Sequence, residues 1–173
     1  STFAITADDD TLQVTVVAAA GGTLDASGIT IASGSAATLS YTGSTKADTI
    51  TGGKQNESIN FTVGGDSIDG GLGTDTFVMG DTTLDATALG LVGSATSTGA
   101  VINLGSTAVS GTTVFAATSQ YTGSNADVAG GTSTHVYAAN ATTNSTEVTS
   151  ISGVENVTGG DGADYIVGTG GNN

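Results

Sequence analysis

Cysteine, proline and tryptophan are absent from this 173-residue chain, and histidine occurs once, at His135. No disulfide or thiolate metal site can form, and one histidine does not make a zinc centre. The lack of proline, beside 28 glycines, excludes collagen-like and proline-rich linker architectures. Bases are almost missing too: 2 against 16 acids, a net charge of −14. Such a chain repels nucleic acid and anionic membranes, so neither is expected as a partner. No apolar run reaches transmembrane length, and the opening STFAITADDD does not read as a signal peptide. Aromatics are 5% of residues while hydrophobics are 37%. The core must therefore come from Val, Ile, Leu, Ala and Thr, a composition that favours strands. Charged residues total only 10%, which separates the chain from acidic disordered tails. Catalytic signatures are missing as well. There is no GxSxG and no HExxH, and GGTSTH and GTGG have no following lysine to make a phosphate loop. His135, Ser133 and Asp127 lie close in sequence without a catalytic pattern, so the chain is not expected to be an enzyme.

What is present is a period of nine. From Gly43 the units are GSTKADTIT, GGKQNESIN, FTVGGDSID and GGLGTDTFV, ending at Val78 without a gap. The sixth position holds Asp48, Glu57, Asp66 and Asp75, and the eighth holds Ile50, Ile59, Ile68 and Phe77. The pattern returns in SISGVENVT (residues 150–158), with Glu155 and Val157, and in GGDGADYIV (159–167), with Asp161, Asp164 and Ile166. GTGGNN then opens another unit.

The glycine-rich half of each unit suits a turn, because glycine reaches backbone angles closed to other residues and lets carbonyls converge. The second half suits a very short strand with one apolar side chain inward. Two units make one coil, so Asp48 is expected to stack on Asp66 and Glu57 on Asp75, about 4.8 Å apart. Paired carboxylates at that spacing repel by about 3.5 kcal/mol at an effective dielectric near 20. Lys46 and Lys54 are too few to offset this. A calcium ion between coils would convert the repulsion into coordination by roughly six to eight oxygens.

The nonapeptide GGxGxDxUx over 43–78 and 150–173 resembles the repeats of the RTX (repeats-in-toxin) calcium-binding family. The resemblance implies a parallel β-roll, secretion by Gram-negative bacteria and folding triggered by calcium outside the cell. It implies Asp48, Asp66, Asp75 and Asp164 as ligands, with turn carbonyls near Gly52, Gly71, Gly73, Gly160 and Gly162 completing the shells. Glu57, Glu155 and Asp161 join the candidate metal residues. Departures from the pattern are Gln55 for a turn glycine, Glu57 and Glu155 for Asp, and residues 61–63 for GGx. Weaker, altered or empty sites are the expectation there.

The expected fold is all-β: a parallel β-roll (β-solenoid) with additional strands at the N-terminus and in the middle. Residues 1–42 read as a strand cap or preceding coils, 43–78 as the first calcium block, 79–149 as a strand-rich insert or longer coils, and 150–173 as the second block. If the insert loops out, Asp164 is expected near Asp75 and Glu155 near Asp66. Asp81 and Asp85 could extend the calcium row, whereas Asp8, Asp9 and Asp10 read as an exposed turn, with another cation site or a subunit contact as the alternatives. The functional expectation is a calcium-binding extracellular structural protein, secreted or on a bacterial cell surface. It would assemble into a homo-oligomer or polymer through strand edges, as a surface layer, matrix fibre or filament. A cell-surface polysaccharide is a further partner this reading allows. The alternative is the calcium-binding C-terminal module of a secreted exoenzyme, toxin or adhesin.

Overall fold

The computed structural model describes residues 4–5, 11–15, 21–31, 38–80, 96–108, 129–138, 144–160 and 164–170. Among these residues every regular element is a strand and there is no helix. Chain order gives β1 (Ala4–Ile5), β2 (Thr11–Thr15), β3 (Thr23–Asp25), β4 (Thr30–Ile31), β5 (Thr38–Thr42), β6 (Thr49–Thr51) and β7 (Glu57–Asn60). There follow β8 (Ser67–Asp69), β9 (Thr76–Gly80), β10 (Thr96–Asn103), β11 (Thr132–Ala138), β12 (Asn144–Ser152), β13 (Asn156–Gly160) and β14 (Tyr165–Val167).

Between β5 and β9 consecutive strands alternate between two sheets. The smaller sheet has the order β13-β9-β7-β5-β2, all parallel. The larger has the order β14-β10-β11-β12-β8-β6-β3. In the first repeat block Ile50 pairs with Ile68, and Ile59 with Phe77. Each step is eighteen residues, two nonapeptides. Further back the step lengthens: Leu12 pairs with Leu39, and Leu24 with Ile50. Within the same longer step, β1 and β4 pair parallel in a two-stranded sheet of their own. Residues in 1–42 thus add parallel strands to the edges of both main sheets.

The eighth-position side chains of the first block close the interior. Ile50, Ile59, Ile68 and Phe77 are buried together with Leu39, Tyr41, Phe61, Met79, Ile102 and Ile151. The Phe61 and Phe77 rings meet edge to face at 6.3 Å, a favourable arrangement of their quadrupoles. The sixth-position acids stand two residues before the eighth-position ones, Glu57 opening β7 and Asp48, Asp66 and Asp75 immediately preceding β6, β8 and β9, and all four are buried. That places the carboxylates at the rim of the core rather than in solvent.

The middle segment does not form longer coils where it is described. β10, β11 and β12 pair antiparallel as a meander that extends the larger sheet. The end of β12 runs parallel to β8, Ile151 opposite Ile68. β13 continues the smaller sheet beside β9, whereas β14 pairs with β10. Ile166 was expected to point into a core, but it is 46% exposed. β14 forms the outer edge of the larger sheet, two strands beyond β11, and the smaller sheet stops at β13.

Candidate cation site

Stacking in register brings the sixth-position acids into two rows. On the larger sheet Asp48 lies beside Asp66, and the Asp48 N–H donates to Asp66 Oδ1 at 2.9 Å. On the smaller sheet the Glu57 N–H donates to Asp75 Oδ1 at 2.7 Å, and the Asp75 N–H donates to Glu155 Oε2 at 2.9 Å. Glu155 therefore falls beside Asp75, not beside Asp66. Asp164 precedes β14 next to β10 and lies away from Asp75 in the sheet order. Both placements overturn the pairing expected for a looped-out insert. The physical reason is that the second block enters the smaller sheet directly above β9, while three antiparallel strands separate its last strand from β8.

The carboxylates also hold the backbone. Asp48, Glu57 and Asp164 each accept a backbone N–H from four residues earlier in their own turn, and Asp48, Asp66 and Asp75 each accept one from the neighbouring strand segment that precedes them in the chain. Ser44 donates to Asp48 Oδ2, Gly53 to Glu57 Oε2 at 3.2 Å, and Gly160 to Asp164 Oδ2 at 3.0 Å. Gly22 donates to Asp48 Oδ1 at 2.6 Å, and the Thr62 hydroxyl donates to Asp66 Oδ2 at 2.9 Å. At Gly160 an amide, rather than the expected carbonyl, faces the acid. The acids are thus staples of the turn as well as candidate ligands.

The two rows differ in what remains. Both oxygens of Asp48 and both of Asp66 are hydrogen-bonded. On the smaller sheet, Glu57 Oε1 and Asp75 Oδ2 are buried with no partner. The residues themselves are 2% and 0% exposed. Burial pushes the Glu57 carboxyl from 4.5 up to about 7, opposed by the Gly53 amide and reinforced by the Asp75 charge. Burial likewise raises Asp75, with Glu155 and Asp69 adding repulsion. Two buried, adjacent, partnerless carboxylate oxygens require a proton or a cation. The sequence reading expected altered sites at Glu57 and Glu155, yet this row has the open oxygens.

The glycines set how closely neighbouring turns approach. A Cβ on Gly52 would run into the carbonyl oxygen of Gly70 and reach Glu57 Oε2 at 3.0 Å. Gly73 has φ +140°, and a Cβ there would strike the carbonyl of Gln55. Gly71 lies in the same exposed turn, its N–H donating to Asp69 Oδ1 at 3.2 Å. Asp161 and Gly162 lie outside the described residues, as do Asp8, Asp9, Asp10, Asp81, Asp85 and Asp127.

Two further residues belong to the rows. Thr149 continues the line of Asp48 and Asp66, fully buried, its hydroxyl without a partner. Tyr41 stands one coil before Ile59, fully buried, its hydroxyl also without a partner. The nine-residue frame offered a signal for the second: extended one unit back, residues 34–42 place Tyr41 at the eighth position. Among the described residues no group of three or more acidic or histidine side chains converges. The acids act as stacked pairs, so an ion here would draw on backbone carbonyls as well. The donors are all hard oxygens with no base among them, a set that fits calcium rather than a softer metal.

Acidification should stabilise the metal-free protein. A carboxyl whose folded pKa is raised takes up a proton on folding. Its contribution is therefore present at low pH and lost as pH rises through the folded value. Thermal melts in chelator are expected to show a higher midpoint at about pH 5.5 than at about pH 8. Equal midpoints would mean that Glu57 and Asp75 are not the strained pair described here.

Compared with family models, with characterised proteins and with solved structures, the chain has no match. The functional reading therefore rests on its own geometry.

Proposed function

We propose that the chain is a calcium-binding extracellular structural protein, coiled as a parallel β-roll, that folds and assembles when calcium is present. The observation that carries this reading is the pair of buried, partnerless carboxylate oxygens, Glu57 Oε1 and Asp75 Oδ2, on residues joined by the Glu57 N–H bond to Asp75 Oδ1. Glu57 and Asp75 would hold the ion as a pair, with carbonyls of the glycine turns completing its shell. Bound there, calcium supplies the positive charge that offsets carboxylate repulsion between coils. Its binding free energy would be folding free energy, since neither row exists in an unfolded chain.

Assembly is supported by strand polarity. Among the described residues the larger sheet ends at β3 and β14, which run in the same direction, and the smaller ends at β2 and β13, also in the same direction. Edges of matching polarity allow a second copy to continue the sheets head to tail, and such pairing does not close on itself. Secretion and a bacterial surface location accompany this reading, because calcium at millimolar levels is an extracellular condition. Light scattering and electron microscopy during a calcium titration test it: filaments or sheets are expected with calcium and not with magnesium. Folding with calcium but without assembly would favour a module of a larger secreted protein.

A further inference from the structure

We infer that the Tyr41 hydroxyl is part of the cation centre at Glu57 and Asp75, an interior oxygen that the nine-residue motif does not specify. The inference rests on the calcium reading above and extends it to a residue on the neighbouring coil.

Three buried side-chain oxygens on or just ahead of successive strands of one sheet have no hydrogen-bond partner: the Tyr41 hydroxyl, Glu57 Oε1 and Asp75 Oδ2. β5, β7 and β9 are adjacent and parallel. Leu39 pairs with Glu57, whose N–H donates to Asp75 Oδ1 just ahead of β9, and Tyr41, Ile59 and Phe77 form the row two residues along. Side chains two apart on a strand share a face, so the phenol and both carboxylates face the same interior. All three residues are at most 2% exposed. Burial raises the Tyr41 phenol above its ordinary value, and the charges of Glu57 and Asp75 add to the rise. A buried hydroxyl left unpaired costs free energy, and two unpaired carboxylates cost more. A proton shared between Glu57 and Asp75 would join those two side chains but leave the phenol unpaired, so what completes all three must come from outside the chain. A cation, with or without its bound water, satisfies all three at once. A water alone would leave the two negative charges uncompensated.

The placement has a chemical consequence. A phenol linked to the ion joins the cation to the aromatic core formed with Ile59 and Phe77. Occupancy of the site is then transmitted to packing, which suits a chain that folds on binding.

The experiment uses terbium(III) as a luminescent calcium substitute on the full chain, excited through tyrosine absorption. Terbium bound at Glu57 and Asp75 should emit by transfer from Tyr41. Tyr41→Phe is expected to lose most of that emission and to bind calcium at least about ten-fold more weakly, the size of one hydrogen bond at a charged site. Asp66→Asn, in the other row, should keep the emission. Unchanged emission and calcium affinity in Tyr41→Phe would overturn the inference while leaving the calcium reading intact. Absence of terbium and calcium binding in the wild type would overturn both. Should Tyr41→Phe not fold, the variant with Tyr121, Tyr137 and Tyr165 changed to Phe decides. Emission from Tyr41 as sole tyrosine supports the placement, and its loss refutes it.

Discussion

Replacing Gly52 by alanine should cost about 3 kcal/mol, the upper end of what an overpacked interior methyl costs. The added Cβ meets the carbonyl of Gly70, a backbone atom one coil away, and approaches Glu57 Oε2. A side chain could rotate aside, but a carbonyl fixed between stacked strands cannot. The Gly52 N–H donates to the Asp69 carbonyl at 2.7 Å, so moving the backbone instead would stretch a bond between coils. Gly28→Ala is the matched control, because a Cβ there meets nothing within 4 Å. It should change stability by no more than about 0.5 kcal/mol. Thermal melts in saturating calcium should separate the two variants by about 10 °C. Similar midpoints would mean that the coils are not packed at the spacing described.

On the proposed calcium reading, Asp75→Asn should remove most of the stabilisation that calcium gives. Asparagine keeps the shape and the oxygen that accepts the Glu57 N–H, and it removes the buried negative charge. In chelator the variant is expected to be at least as stable as the wild type, since one uncompensated buried charge has gone. With calcium at a hundred times its dissociation constant, the wild type should gain about 2.7 kcal/mol and the variant little of that. Asp66→Asn should behave differently. Both Asp66 oxygens already accept hydrogen bonds, so that change should weaken the fold with and without calcium alike, by about 1–3 kcal/mol. Denaturant titrations of the three proteins in both buffers measure these differences. Equal calcium gains for Asp75→Asn and wild type would place the ion elsewhere.

The all-β class and the parallel stacking of the first block were readable from the sequence because a strict period leaves few alternatives. An acid and a large apolar residue separated by two, repeated every nine, place Asp48 with Asp66 and Ile59 with Phe77 in any two-strand coil. The course of the second block was not readable in the same way. Nothing local tells Asn156 to join β9 or Tyr165 to join β10; that depends on the antiparallel meander between them, a long-range pairing without a sequence period. The contrast between the two rows was also hidden. It turns on hydrogen bonds from Thr62, Ser44 and Gly22, groups whose partners only the folded backbone fixes. Glu57 looked like a weakened version of the motif. Its longer side chain leaves one oxygen unpaired beside Asp75, which makes it the stronger candidate.

The most direct measurement is far-UV circular dichroism of the full chain, taken from chelator into calcium, with magnesium as the control. Strand signal should appear or rise with calcium and not with magnesium, because the paired carboxylates and turn carbonyls suit the larger ion's flexible shell of about six to eight oxygens. A chain equally folded in chelator, calcium and magnesium would contradict the account, since its carboxylate rows would then hold together without the ion assigned to them.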